Sequence, residues 1–334
     1  MRVLVTGGTG YLGSRLVPAL LESGHEVRLL VRPDRRSPFP EHPRLVPVAG
    51  HVLDQDALRQ GARNVQAVVH LAAHVRNWSR RRRDFDDVNV GGFALAARTA
   101  LESGVERFIH TSSFLALGPA PPERPRTEED PPAPVPRGTD YARTKALAEK
   151  ERDWLEAQGL TVVSLYPTVL YGPGTLTAGN LVGRMLVDWL GGARAVLMGD
   201  GSRVWNYVFI DDVVGAHVRA VESEPPKRRY IVAGENATQR AFFATAARLA
   251  GRPAPARGIP FAVLAAASWI EMARAWMTGR QPAITPAIVR TFRPHWAFDG
   301  SRARRELGIE PTPLEAGLAA TLDWARGEVG KAHA

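Results

Sequence analysis

The feature that most restricts the fold of this chain is a short apolar run at residues 2–5, followed at once by the glycine-rich stretch TGGTGYLG. Gly7, Gly10 and Gly13 are spaced three residues apart, and a helical pattern opens directly behind them. The first glycine permits a tight turn, the second lets a pyrophosphate approach the backbone, and the third allows close packing of helix on strand. The helix N-terminus then offers free N–H groups to a phosphate. The pattern predicts a dinucleotide-binding turn.

Apolar runs of strand length alternate with helical patterns over the first half of the chain. The runs cover 2–5, 26–31, 45–48, 67–71, 107–111 and 161–166, and the helical patterns cover 11–22, 54–60, 90–103 and 141–158. Strands alternating with helices form right-handed βαβ units around a parallel sheet. We therefore predict an α/β protein whose residues 1–172 form a Rossmann-type doubly wound parallel sheet that binds NAD(P).

The pattern becomes irregular after residue 172. Strand-like stretches at 204–210 and 229–233 lie among helical patterns at 178–190, 212–222, 239–250 and 260–277. We interpret residues 173–330 as mainly a smaller substrate-binding lobe, interwoven with the main sheet, in which 204–222 returns to the main domain. Residues 119–138 contain eight prolines and no apolar periodicity, which predicts a loop at the rim of an active site.

Composition and charge exclude several classes of function. The 334 residues include no cysteine, which excludes disulfides, thiolate catalysis and zinc–sulfur sites, and we predict no metal site. The formal charge is +9, but the arginines are scattered and no nucleic-acid-binding motif accompanies them, so we predict no nucleic-acid partner. The start, MRVLVTGG, lacks the pattern of a signal peptide, and we expect a cytoplasmic protein.

The most apolar stretch, 258–278, is interrupted by Glu271 and Arg274. It is therefore too polar for a membrane span. We interpret it as a buried or amphipathic helix of the smaller lobe, with a role at a membrane surface or in binding a hydrophobic substrate as the alternative.

Arg32 stands directly after the second predicted strand, with Arg35 and Arg36 close behind. An acidic residue near this point binds the ribose 2′-hydroxyl of NAD, whereas an arginine accommodates the 2′-phosphate of NADP. The sequence thus favours NADP(H), with NAD(H) as the alternative.

Tyr141 and Lys145 lie four residues apart in the helical pattern 141–158, in a chain that contains only four lysines. Positions i and i+4 share one face of a helix, so the phenol and the ammonium are predicted to point into the same space. A neighbouring ammonium favours the phenolate and would lower the tyrosine pKa from its usual value of about 10. The pair could then exchange a proton with a carbinol oxygen near neutral pH.

The predicted strand at 107–111 ends in Thr111, Ser112 and Ser113. A hydroxyl at this strand end could hold a substrate carbonyl oxygen beside the tyrosine. Capping of the segment that follows is the structural alternative for either serine.

Together these features resemble the extended short-chain dehydrogenases/reductases over nearly the whole chain. Within that superfamily the sequence is most similar to the dihydroflavonol-4-reductase-like branch and to the NAD-dependent epimerase/dehydratase proteins. The motifs that carry the resemblance, in order, are TGGTGYLG, VVHLAA (68–73), VNVGG (88–92), TSS (111–113), YARTK and YPTVLYGPG (166–174), NYVFIDDVVGAHVRAVE (206–222) and the tail 298–318.

The resemblance implies a catalytic triad of Ser113, Tyr141 and Lys145. Ser113 is preferred to Ser112 because it stands five residues before Gly118, as the serine of the family stands before its glycine. The resemblance also implies cofactor contacts: the pyrophosphate at Gly7, Gly10, Tyr11, Leu12 and Gly13, the ribose side at Leu71, Ala72 and Ala73, and the nicotinamide at Pro167, Thr168 and Val169. Tyr141 and Lys145 would also touch the cofactor, and Asn89 is expected to be structural.

Three departures from the family pattern bear on the ligands. His51 and Val52 occupy the adenine position where the family often has Asp-Leu, so the adenine contact is unusual. Trp205 replaces an arginine, and Leu117 a tyrosine, that sugar-nucleotide enzymes often carry. With Trp78 and Phe114, Trp205 indicates a pocket for an apolar or aromatic small molecule.

We therefore predict an NAD(P)H-dependent reductase of a ketone or aldehyde on a small, fairly apolar molecule. The alternatives are an epimerase or dehydratase that uses NAD transiently, an enzyme similar to 3β-hydroxysteroid dehydrogenase/isomerase, and a non-enzymatic nucleotide sensor. A homodimer through the helix carrying Tyr141 and a neighbouring helix is what the resemblance implies for assembly.

Overall fold

The computed structural model describes residues 1–133, 135–223 and 227–333. The strands are β1 (Arg2–Thr6), β2 (Glu26–Val31), β3 (Leu45–Ala49), β4 (Ala67–His70), β5 (Arg107–Thr111), β6 (Val162–Pro167), β7 (Val169–Tyr171), β8 (Leu197–Met198), β9 (Val204–Phe209), β10 (Arg229–Val232), β11 (Glu235–Thr238) and β12 (Gly258–Ile259).

The helices surround these strands. They are α1 (Tyr11–Glu22), α2 (Gln55–Ala62), α3 (Arg83–Asp86), α4 (Gly92–Glu102), α5 (Phe114–Leu117), α6 (Asp140–Ala157), α7 (Leu181–Leu190), α8 (Ile210–Glu222), α9 (Gln239–Ala250), α10 (Phe261–Thr278), α11 (Pro286–Thr291), α12 (Ser301–Leu307) and α13 (Leu314–His333). A π-helical segment, Asp87–Gly91, joins α3 to α4. Within the described part of the chain, no helix combines the length and apolar composition of a membrane span.

The main sheet has the strand order β3-β2-β1-β4-β5-β6-β10, and every neighbouring pair is parallel. The order reverses between β1 and β4, which opens a crevice beyond their carboxyl ends. Ligands of doubly wound sheets bind at such a reversal. The predicted fold class is thus confirmed.

Two apolar layers cover the sheet because its central strands are apolar on both faces. One layer packs α1 and α8 on the sheet through residues such as Leu16, Val17 and Val213. The other packs α2, α4 and α6 on the opposite face through residues such as Phe93 and Leu155. Helix α6 comes between β5 and β6 in the sequence, and it packs on this second face of the sheet.

A second, three-stranded sheet consists of β7, β9 and β11, in which β9 pairs parallel with β7 and antiparallel with β11. Helices α7, α9 and α13 pack on these strands. The segment 204–222 divides between the two parts of the molecule: β9 stays in the small sheet and α8 packs on the main one. Farther along the chain, β10 completes the edge of the main sheet beside β6.

Most predicted elements occur with shifts of a few residues at their ends. The sequence missed β7, β8 and β12, because strands of two or three residues contain no measurable alternation, and it also missed β11, α5 and α11 to α13. The predicted loop 119–138 contains no helix or strand in its described residues; residue 134 lies outside them. The Arg126 side chain supports this loop by donating to the carbonyl oxygens of Pro119 and Pro131, both at 2.8 Å.

Candidate active site

The glycine-rich turn packs closely against the end of β4. Gly7 has a φ of +73°, and a Cβ there would lie 2.6 Å from the backbone nitrogen of Ala72. The amide of Gly10 donates to the carbonyl oxygen of Gly7 at 3.0 Å. A Cβ on Gly13 would lie 2.4 Å from Cα of Gly8. Side chains are thus excluded at the first and third glycines, and the backbone of the turn stays accessible to a phosphate.

Helix α1 begins at Tyr11, and its N-cap, Gly10, has no side chain to satisfy the first amides. A pyrophosphate is a suitable acceptor for these N–H groups. The Tyr11 phenol does not take part in phosphate binding, because it is buried and donates to the carbonyl oxygen of Gly172 at 2.8 Å. Leu12 packs partly buried against the core. The turn therefore fits a dinucleotide through its backbone.

The remaining predicted cofactor contacts all lie at the carboxyl edge of the main sheet. Arg32 follows β2, His51 and Val52 come just after β3, Leu71, Ala72 and Ala73 follow β4, and Pro167, Thr168 and Val169 span the end of β6 and the start of β7. Parallel strands place their carboxyl ends along one edge, so residues more than 100 positions apart in sequence share this crevice.

These residues differ in how free their side chains are. Val52 is buried against Gly92, and Thr168 is buried and donates to Oδ1 of Asn206 at 2.7 Å. The Arg32 side chain is half exposed, and its Nε lies 3.7 Å from Oδ1 of Asp34. Asp34 also lies 3.8 Å from Arg35. An acidic group thus stands among the arginines that the sequence favoured for a 2′-phosphate.

Ser113 and Tyr141 meet at the carboxyl end of β5. Ser113 is the N-cap of α5, and its Oγ accepts from the amide of Leu115 at 3.3 Å. The capping alternative therefore applies to the serine predicted to be catalytic. Its hydroxyl also lies close enough to the Tyr141 phenol to lower the pKa of that phenol. The neighbouring Ser112 hydroxyl is buried without a partner among the described residues.

Burial raises the pKa of Tyr141 to about 12, although the neighbouring Ser113 hydroxyl acts in the opposite direction. The net direction is opposite to the lowered pKa that the sequence predicted. Burial destabilises the charged phenolate by more than the neighbouring groups stabilise it. The phenol therefore keeps its proton at neutral pH, which is the state that a proton donor requires.

Lys145 is 3% exposed and lies on the same face of α6 as Tyr141, as the spacing predicted. Its Nζ donates to the carbonyl oxygen of Thr111 at 2.7 Å and lies 5.9 Å from the centroid of the Tyr141 ring. Burial lowers the pKa of Lys145 to about 8, while the charge of Glu149 raises it. A buried lysine whose pKa is lowered in this way is a candidate for a functional residue.

A buried polar cluster that the sequence analysis missed surrounds Lys145. His70 and His110 are adjacent in the register of β4 and β5, with ring centroids 6.1 Å apart. Nε2 of His110 lies 3.6 Å from Oε1 of Glu149, whose other oxygen accepts from the Tyr166 hydroxyl. Burial lowers the pKa of His70 to about 3 and that of His110 well below its usual value. Both histidines are therefore neutral and do not repel the lysine.

The missed residue Glu149 could have been found from the sequence. It stands four residues after Lys145 and eight after Tyr141, so all three share one face of α6. The two histidines gave no such signal, because they come from separate strands and meet only through the register of the sheet.

Asn89 has the structural role that was expected. Its Oδ1 accepts from the amide of His74 at 2.6 Å, and its Nδ2 donates to Oγ1 of Thr144 at 2.9 Å. Asn89 thereby ties the loop after β4 to helix α6, next to Lys145.

The three aromatic residues predicted for the pocket occupy different places. Phe114 is 7% exposed and packs edge-on against Trp296 at 5.2 Å between centroids. Trp205 is partly exposed, packs against Phe292 at 4.7 Å and adjoins the same apolar cluster as Tyr141. Trp78 instead contacts Trp276 of α10. Phe114 and Trp205 therefore belong to the apolar surroundings of Tyr141, and Trp78 belongs to the contact with α10.

Sequence comparison identifies the family. The model of the NAD dependent epimerase/dehydratase family matches residues 3–233. "Sterol demethylase protein B" of Methylococcus capsulatus is 32% identical over 329 residues, which are 98% of each chain. "Putative dihydroflavonol 4-reductase" of Synechocystis is 29% identical, covering 96% of this chain and 93% of the relative.

Structure comparison agrees. The structure "MoeE5 in complex with UDP-glucuronic acid and NAD" has a TM-score of 0.77 and 25% identity, covering 98% of this chain and all of the other. The chain is an NAD(P)-dependent enzyme of the extended short-chain dehydrogenase/reductase type. It belongs to the NAD dependent epimerase/dehydratase family.

Proposed function

We propose that the chain reduces a ketone or aldehyde on a small, fairly apolar molecule, using NADPH or NADH. The observation that carries this proposal is the placement of the Tyr141 phenol beside Ser113 and one helical turn from the buried Lys145. These groups lie at the edge of the sheet where the glycine-rich turn opens.

The backbone of Gly7, Gly10 and Gly13, with the first amides of α1, would hold the cofactor pyrophosphate. When bound, the reduced nicotinamide supplies the hydride. Tyr141 donates its phenolic proton to the carbonyl oxygen as that oxygen gains negative charge. Ser113 donates a hydrogen bond to the same oxygen and so orients the carbonyl carbon.

Lys145 supports the tyrosine in two ways. Its bond to the Thr111 carbonyl oxygen fixes the ammonium beneath the phenol. The positive charge there stabilises the phenolate left after proton donation, in an interior where charges interact strongly.

An apolar substrate is supported by the surroundings of Tyr141. Trp205 and Leu117 stand where sugar-nucleotide enzymes often carry polar groups, and both adjoin the apolar cluster that contains Phe114 and Trp296. The 32% identical relative described as a sterol demethylase protein also favours an apolar ring system. Oxidation of a 3β-hydroxysteroid type of alcohol would use the same residues in reverse.

The second candidate is an epimerase or dehydratase in which the cofactor is reduced and reoxidised within one turnover. The family description and the relative bound to UDP-glucuronic acid and NAD favour it. The two functions differ in one measurable product, because only the reductase accumulates oxidised cofactor with turnover.

Replacing Tyr141 tests the proposal. Tyr141→Phe keeps the ring but removes the proton donor, so kcat should fall by about 10²–10⁴-fold while the Kd of the cofactor changes little. Tyr230→Phe is the matched control, since it removes a phenol bound to Glu306 away from the site. Near-wild-type turnover by Tyr141→Phe would refute the assignment. If UDP-sugars are converted and no oxidised cofactor accumulates, the chain is instead an epimerase or dehydratase.

We also propose that NADP(H) is preferred, on the basis of Arg32. Fluorescence titration should give a lower Kd for NADPH than for NADH, and Arg32→Ala should abolish the difference. Asp34→Asn should enlarge it, because the carboxylate near Arg32 and Arg35 repels a 2′-phosphate. Equal affinities in the unmodified protein would contradict the preference.

Two further aspects belong to the same proposal. We place the reaction in the cytoplasm, where nicotinamide cofactors are recycled. We also propose a homodimer through α4 and α6, since Trp154 of α6 is 49% exposed beneath the guanidinium of Arg98 from α4. Light scattering of the purified chain measures its oligomeric state.

A further inference from the structure

Helix α10 presents an apolar face to solvent. Its large exposed side chains are Val263, Trp269, Ile270, Trp276 and Met277. Ile270 is 71% exposed and Met277 81%, whereas the residues buried on the other side are Leu264, Ser268 and Ala275.

The exposed residues recur at seven-residue intervals, at 263, 270 and 277, with 269 and 276 beside them. Seven residues make about two helical turns, so these side chains form one stripe along the helix. Scattered apolar side chains are normal on a protein surface, but a continuous row that includes two tryptophans marks an interaction site. We call these five residues the α10 stripe.

The α10 stripe carries no acidic group. Glu271, the only acid in the helix, is held by Arg274 at 2.7 Å and by the amide of Ala283 at 3.0 Å. Both contacts occupy its carboxylate within the fold.

Basic side chains flank both ends of the stripe. Arg257 precedes α10 and Arg280 follows it, and the Arg80 guanidinium lies close to Gly279 at its C-terminal end. The loop after β4 brings this arginine there through the edge-on contact between Trp78 and Trp276, with ring centroids 6.0 Å apart.

Several arginines of the loop after β4 and of the segments that flank α10 are available to a partner. Arg82 binds Asp140 at the start of α6, and Asp84 accepts from Ser79. Six exposed arginines make no ion pair with any residue in the described ranges: Arg76, Arg80, Arg81, Arg83, Arg257 and Arg280.

We propose that the α10 stripe docks on an anionic lipid surface, with α10 lying in the plane of the interface. An apolar helical face with tryptophans and flanking arginines matches the chemistry of such a surface, where indole rings sit at headgroup level and arginines meet lipid phosphates. A second copy of the chain fits less well, because an isologous contact would place one arginine-flanked face against another.

The position of the stripe connects it to the site, and this part of the inference rests on the proposed function. Trp78 and Arg82 belong to the loop after β4, and this loop contacts both α10 and the first residue of α6, next to Tyr141. A lipid surface at α10 would therefore lie near the start of the helix that carries Tyr141, and a membrane-dissolved ketone could approach the site from that side.

Vesicle sedimentation tests the proposal with two vesicle types, phosphatidylcholine alone and phosphatidylcholine mixed with phosphatidylglycerol. The unmodified chain should sediment with the anionic vesicles, and added salt should weaken this binding. Ile270→Glu should lower the partition coefficient about tenfold or more, since it places a charge where an apolar side chain would be buried in the lipid. Leu181→Glu, at another exposed apolar position that is 54% exposed, should leave it unchanged.

Turnover of a water-soluble ketone, measured on the same samples, separates this proposal from the proposed function. We expect Ile270→Glu to retain that turnover and its melting temperature while losing vesicle binding. Vesicle binding without turnover of any carbonyl compound would support the docking proposal and refute the proposed reductase function. Equal sedimentation of Ile270→Glu and the unmodified chain would overturn the docking proposal. So would a concentration-dependent dimer that Ile270→Glu dissociates in the absence of vesicle binding.

Discussion

Helices α6 and α10 are both eighteen residues long, yet their composition and burial are opposite. Nine residues of α6 are charged, and only two of α10. Nevertheless α6 buries Lys145 and Arg152 almost completely, whereas α10 exposes Trp269 and Ile270.

The comparison teaches that position in the topology decides burial more than the mean hydropathy of a helix does. Helix α6 connects β5 to β6, and a right-handed crossover must lie on the sheet. Its charges are satisfied locally: Arg152 binds Asp153 and Glu156, each at 2.7 Å. Helix α10 joins no two strands of the main sheet, so no part of the described chain is required to cover its apolar face.

The largest expected difference concerns the lysines of α6. Lys145→Met should weaken cofactor binding and reduce kcat by about 10²–10⁴-fold, because it removes the buried ammonium that we propose stabilises the phenolate. Lys150→Met, on the exposed face of the same helix, should change neither quantity. Isothermal titration with the cofactor and steady-state kinetics measure both. Similar behaviour of the two variants would show that burial of Lys145 has no functional meaning.

The second largest effect concerns how much a buried residue of α6 and an exposed residue of α10 contribute to the stability of the fold. Leu155 of α6 is fully buried, so Leu155→Ala should lower the free energy of unfolding by about 2–5 kcal/mol. Ile270→Ala should change it by less than about 0.5 kcal/mol, because most of this side chain already contacts solvent. Urea denaturation provides the comparison. A cost above about 1 kcal/mol for Ile270→Ala would mean that the α10 stripe is covered in solution.

The smallest effect concerns the pH dependence of the reaction. With the pKa of Lys145 near 8, the ammonium is present below pH 8 and is lost above it, so kcat/KM for reduction should decline as pH rises through that value. Glu149 raises the pKa of Lys145, so Glu149→Gln should move the decline to lower pH. Glu151→Gln, farther around the helix, is the control. A profile unaffected by Glu149→Gln would exclude this carboxylate from the tuning of the lysine.

Local patterns in the sequence predicted the fold and the outline of the site. The glycine spacing at 7, 10 and 13 identified the turn, and the alternation of strands and helices identified the parallel sheet. The spacing of Tyr141 and Lys145 placed both on one face of α6. Each of these inferences depends on residues within about one or two turns of each other, where helix and strand periodicity act directly.

Inferences that needed distant residues were incomplete. The direction of the Tyr141 pKa shift was wrong, because the spacing to Lys145 is visible in the sequence whereas the burial of the phenol is not. The exposure of α10 was equally invisible: its composition indicated a buried or amphipathic helix, and only its place in the lobe distinguishes the two.

The sequence by itself determined which groups this protein can offer: a backbone turn for a pyrophosphate, and a serine, a tyrosine and a lysine at a strand end and on one helical face. Tertiary structure alone decided the environment of those groups. His70 and His110 become neighbours only through the register of β4 and β5, and Glu149 reaches them only because α6 lies on the sheet. Desolvation and charge proximity, which set the pKa values of Tyr141 and Lys145, depend on distances through space and not on distances along the chain.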